Sequence, residues 1–102
     1  MKLIIRPLFL SDVEATVSYL VETAGEDVAR RWAESVWNTI DELNRQPFFG
    51  RERHDLPFPG VRSWRMSDFS RWIVFYGLKP EAIVFYRVKH GAVNLARLDF
   101  NS

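Results

Sequence analysis

The chain has 102 residues, of which 47% are hydrophobic and 15% aromatic, so it is of ordinary single-domain size and can bury a core of its own. It contains no cysteine and two histidines, His54 and His90, which excludes a disulfide framework, a thiolate nucleophile and a cysteine-based metal site. The net charge of +1 is unevenly spread: residues 1–50 carry five Lys/Arg against eight Asp/Glu, a balance of −3, and residues 51–102 carry nine against five, a balance of +4. A basic C-terminal half suits an acidic protein surface or nucleic acid, through steering and counterion release, or is simply an uneven solvated surface.

Residues 1–102 read as one domain. The opening residues hold a brief apolar run interrupted by Pro7 with no small-residue cleavage site after it, so a secretory leader is not expected. No apolar stretch approaches the roughly 18 residues that a membrane span requires, and a soluble, cytoplasmic protein is expected. Neither a metal nor a cofactor is expected.

In chain order, Lys2 to Arg6 is a short β-branched run that reads as a strand ended by Pro7. Ser11 followed by Glu14 has capping-box spacing and predicts a helix start there. Val13, Val17, Leu20, Val21 and Ala24 then form an apolar stripe that closes near Gly25. A longer second helix is predicted from Val28, Trp32, Val36, Ile40 and Leu43, with Ala29, Ala33 and Trp37 widening the buried face. Its outer face offers Glu26 to Arg30 and Asp41 to Arg45, four residues apart, and Pro47 ends it.

The segment 48–59 has loop composition. Strands are predicted over Val61–Met66, Trp72–Leu78 and Ala82–Lys89, the last two joined by a hairpin at 77–81, with Val93–Leu98 as a further candidate. This order predicts an α+β fold: an N-terminal strand, an antiparallel two-helix hairpin, then a three- to four-stranded antiparallel sheet packed on the helices.

Several local strings, in this order, resemble the ParE/RelE superfamily of type II toxins, nearer its ParE branch. They are Pro47-Phe48-Phe49-Gly50-Arg51, Arg62 with Trp64, Trp72-Ile73-Val74-Phe75-Tyr76, and Val88-Lys89-His90-Gly91-Ala92. Many ParE-like chains continue the last string with Arg-Asp, where this chain has Val93 and Asn94. The resemblance implies a growth-inhibiting toxin that acts on a large target, DNA gyrase in the ParE branch. It also implies a ParD-like antitoxin whose C-terminal segment wraps the toxin, giving a toxin–antitoxin hetero-oligomer. A module that binds antitoxin but is not toxic is the reading to which Val93 and Asn94 point.

Candidate partner contacts are Phe48, Phe49, Trp64 and Phe69 with Arg51, Arg53 and Arg71. Aromatics beside a charged loop suit a wrapping peptide, although Phe48, Phe49, Phe58, Trp64 and Phe69 serve equally as lids on the core. The RelE branch instead cleaves mRNA on the ribosome, with clustered cations around the phosphate and a group that moves protons. For that chemistry the candidates are Arg62, Arg65, Arg87 and His90, with Tyr86 secondary. Strand alternation sends Arg87 and Lys89 one way and Tyr86, Val88 and His90 the other if the strand is unbulged. His90, before Gly91, also suits a turn contact, and His54 a solvated loop position.

Overall fold

The computed structural model describes residues 1–100. Strand β1 (Lys2–Ile5) leads into helices α1 (Pro7–Ala24) and α2 (Glu26–Arg45). Strands β2 (Arg51–Glu52), β3 (Val61–Arg65), β4 (Trp72–Lys79) and β5 (Ala82–His90) follow, then a 3₁₀ turn at Leu95–Arg97. The five strands form one sheet in the order β1-β5-β4-β3-β2, antiparallel except that β1 joins β5 in parallel, from Lys2 opposite Ala82 to Ile5 opposite Phe85. The α+β architecture and the N-terminal strand are as the sequence predicts; the parallel pairing of that strand and the short β2, which forms inside the segment 48–59 read as loop, make the sheet five-stranded rather than three- or four-stranded.

Proline marks the first departure. Pro7 stops β1 but also starts α1, occupying a first-turn position where its missing N–H has no intrahelical partner to lose. The helix therefore begins four residues before Ser11, with Arg6 as N-cap and no side-chain capping bond, and the Ser11–Glu14 box does not form. Gly25 separates the helices at φ +95°, a conformation that side chains disfavour, and its N–H donates to the Leu20 carbonyl. On α2, Arg30 pairs with Asp27 and Glu34 rather than Glu26. The expected burial of Trp37, Val21 and Ala24 is also wrong: all three are exposed.

The helices cover one sheet face. Phe9, Val13, Trp32, Val36, Ile40 and Leu43 meet Val74, Tyr76, Ile83, Phe85 and Val88. The opposite face has a second core, in which Val61, Ile73, Phe75, Val84 and Tyr86 pack with Leu56 and Phe100. That face is covered by loop residues and by the C-terminal segment, which turns as a short 3₁₀ helix where the sequence suggested a strand at Val93–Leu98. Asn94 Oδ1 accepts from the Ala96 N–H, a local bond that stabilises the turn over an extended strand.

A register shift interrupts β4–β5. Phe75 faces Arg87 and Tyr76 faces Phe85, so Tyr86 is the extra residue of a bulge. The alternation expected for an unbulged strand fails there: Tyr86 lies in the second core and Val88 in the first. Beyond Phe85, β5 has no β1 partner, and α1 supplies one through Asp12. Its carboxylate accepts from the Val88 N–H at 3.2 Å and from two Arg87 nitrogens at 2.8 Å each, with Lys89 Nζ at 3.0 Å.

Candidate functional site

The phenol of Tyr76 ties the exit from α2 to the sheet through two bonds. Tyr76 donates its hydroxyl to the Pro47 carbonyl at 2.7 Å and accepts from the Gly50 N–H at 2.8 Å. A Cβ at Gly50 would collide with the Tyr76 ring, so this position requires glycine. Burial pushes the phenol above its ordinary pKa and keeps it neutral. The Pro47–Gly50 turn is thereby fixed while its two aromatics point outwards: Phe48 is 73% exposed and Phe49 47%.

Guanidinium groups surround them. Arg62 lies 5.1 Å over the Phe48 ring, donates to the Gly50 carbonyl at 2.7 Å and pairs with Glu52 at 2.9 Å. Phe49 packs 5.4 Å from Trp64, whose indole N–H donates to Glu42 at 2.9 Å. A depression of about 360 Å³ opens beside this pair, lined by Phe49, Arg51, Arg53, Ser63, Trp64, Arg65 and Ile73. Arg51 and Arg65 are exposed, whereas Arg53 is buried, held by both Asp55 oxygens and donating to Ser63 Oγ. That bond to Arg53 holds the Asp55 carboxyl well below the usual aspartate range. The depression thus offers exposed guanidinium groups beside an apolar wall, a setting for a carboxylate carried on an apolar segment.

Five candidate partner residues therefore meet at one sheet edge: Phe48, Phe49, Arg51, Arg53 and Trp64. Phe69 and Arg71 are elsewhere, around a shallower groove with Asp68, Ser70, Trp72 and His90. Asp68 there has φ +64°, a left-handed conformation that aspartate tolerates.

The four residues considered for RNA cleavage are not brought together. Arg62 and Arg65 sit on opposite faces of β3, and Arg65 donates to the Ser70 carbonyl. Arg87 is buried against Asp12, which raises its pKa further and holds it as a fixed cation. His90 packs edge-on to Trp72, and its Nδ1 accepts from the Ala92 N–H at 3.1 Å. That bond selects the tautomer with the proton on Nε2, which leaves neutral His90 a donor at its other nitrogen and makes the turn contact expected from Gly91. His54 is 87% exposed beside Glu52, a solvated loop residue. Among the described residues no helix is long and apolar enough to cross a membrane, and no group of three His, Cys, Asp or Glu side chains is placed to hold a metal ion.

Sequence reasoning missed Asp12 and Tyr76. Asp12 had a signal: it lies one residue before Val13 in the buried phase of α1, where an unpaired carboxylate is costly. The partner Arg87 is 75 residues away, and no local pattern reveals it.

A strand, a helical hairpin and a sheet that pairs its first strand in parallel with its last define the α+β fold of this chain. A solved structure titled as the chromosomal ParDE TA system from P. aeruginosa shares it, with a TM-score of 0.75 over 88% of this chain and 95% of that one, at 19% identity. Toxin ParE3 of Caulobacter vibrioides is 31% identical over 85 residues, covering 83% of this chain and 81% of the relative. The family model described as ParE toxin of type II toxin-antitoxin system, parDE, matches residues 3–95. The chain belongs to the ParE toxin family.

Proposed function

We propose that this ParE-type toxin arrests growth by binding a large cellular target, DNA gyrase by family likeness, without cutting RNA. In this reading residues 1–102 act as one cytoplasmic domain. It is neutralised by a ParD-like antitoxin, with which it forms a hetero-oligomer. The observation that carries the partner assignment is the exposed Phe48–Phe49 pair beside the arginine-lined depression. Apolar anchors ringed by guanidinium groups suit an acidic, amphipathic wrapping segment and would be a solubility liability if left bare. Phe48, Phe49, Arg51 and Trp64 are assigned to that contact, Arg53 supports it from below, and Phe69 and Arg71 extend it to a second groove.

A binding mode of inhibition is favoured over nuclease chemistry by the commitment of Arg87 to Asp12 and by the Nε2–H tautomer of His90. The bond from the Ala96 N–H to Asn94 in the 3₁₀ turn gives Asn94 a structural role and supports reading this position as a local variation in an active toxin. Induction of the chain alone in a bacterial host should halt growth, and co-induction of the adjacent antitoxin should restore it. Undiminished growth at high toxin levels would overturn the reading.

A further inference from the structure

The second sheet face carries an occupant of its own. Phe100 is 2% exposed, and its ring lies 5.8 Å from Phe75, 5.9 Å from Phe58 and 6.2 Å from Tyr86. Leu95 and Leu98 pack beside it at the margin of the same cluster. The segment that carries these side chains pairs with no strand. Its turn is closed by its own bonds, Arg97 N–H to Asn94 and Leu98 N–H to Leu95, and a bond from Arg87 to the Asp99 carbonyl anchors it to the sheet. Lifting it would leave the sheet ladder paired, while breaking the bond from Arg87 to Asp99 and exposing the apolar side chains beneath. Such an element opens locally far more easily than the strands beneath it.

The cluster under Phe100 adjoins the open depression: Phe75 touches Phe100 and lies under Arg53 at 6.0 Å, and Ile73 belongs both to the cluster and to the wall of the depression lined by Arg51, Arg53 and Arg65. One half is filled by an aromatic ring preceded by a carboxylate residue, and the other is open and basic.

We propose that residues 94–100 are a displaceable strap, and that the face beneath them binds a partner segment combining an aromatic anchor with acidic residues. The anchor takes the place of Phe100, and the carboxylates meet Arg51 and Arg65. The charge of the open half and its continuity with the filled half identify this chemistry. A polyphosphate chain fits less well, because it carries no apolar group to take the place of Phe100 and an extended basic track is lacking among the described residues. The inference deepens the partner reading above and rests on it only for the biological source of the segment.

The test uses the full chain and a fluorescent synthetic peptide copying residues 94–100 with Arg97→Asp to make it acidic. Because the intramolecular strap competes for the same trough, Phe100→Ala should bind this peptide at least about tenfold more tightly than the unaltered chain. Arg51→Glu should weaken binding by about tenfold or more. Phe100→Leu, which keeps apolar bulk, gives an intermediate affinity and guards against a fold lost in Phe100→Ala. In hydrogen exchange, the Arg97 and Leu98 amides should be far less protected than those of Val74 and Phe85. Equal peptide affinity in all chains, strap amides as protected as β4 and β5, or preference for a single-stranded oligonucleotide over the peptide would each overturn the proposal. Growth arrest with antitoxin rescue is read separately, so peptide failure beside intact rescue sinks this inference alone.

Discussion

Asp12 and Arg87, 75 residues apart, form a two-pronged ion pair with both bonds at 2.8 Å, and through it α1 completes the edge of β5 that β1 leaves open. The carboxylate also accepts from Val88 N–H, so one side chain replaces a strand neighbour and neutralises a buried cation. Removing one partner strands the other charge away from water, which costs about 3–5 kcal/mol, more than a well-packed apolar pair replacing both. Asp12→Asn should therefore lower the unfolding free energy obtained from urea titration by that amount. The double variant Asp12→Leu/Arg87→Met should recover much of the loss, and additive losses in the double-mutant cycle would contradict the coupling.

Tyr76 holds the turn that presents Phe48 and Phe49. Tyr76→Phe deletes the donor to Pro47 and leaves the Gly50 N–H without its acceptor, at a cost of about 1–3 kcal/mol by chemical denaturation. Because burial raises the phenol's folded-state pKa, its contribution is fully present below about pH 10 and is lost as pH rises through the folded value. The unaltered chain should thus lose stability on the alkaline side more steeply than Tyr76→Phe; parallel profiles would refute this.

Asp55 titrates in the opposite sense. Its folded-state pKa is depressed by the bond to Arg53, so its contribution is complete above about pH 4 and disappears as pH falls through the folded value. Asp55→Asn should flatten that part of the acid-unfolding curve followed by circular dichroism.

Phe48→Ser with Phe49→Ser should change stability by less than about 0.5 kcal/mol for each exposed ring and improve the solubility of the free toxin. The same pair should weaken antitoxin binding by at least about tenfold, near 1.4 kcal/mol, in a titration calorimeter. Unchanged affinity would place the antitoxin contact elsewhere.

The helical hairpin was legible because each helix repeats its apolar residues over several turns, and β3 to β5 because β-branched and aromatic runs lie between clear turn residues. What stayed hidden is long-range. The first-strand run at Lys2–Ile5 carries no mark of its parallel partner 80 residues away, and the bulge at Tyr86 depends on the register with β4. The start of α1 was misplaced because Pro7 serves both as strand stop and helix opener, while Ser11 and Glu14 make an attractive but unused cap. At the candidate site, the placing of Phe48, Phe49 and Arg51 in the charged stretch after α2 was legible, and their exposure came from the structure. That Arg53 turns inward to Asp55 and Ser63, and that Arg62 braces Phe48, follows from the β2–β3 pairing, which two residues of strand cannot announce.

Whether the toxin acts on gyrase is decided by a supercoiling assay with purified toxin, DNA gyrase and relaxed plasmid. Dose-dependent inhibition, relieved by stoichiometric antitoxin, is the expected result. Full supercoiling at saturating toxin, alongside cleaved transcripts in cells arrested by the same chain, would contradict it.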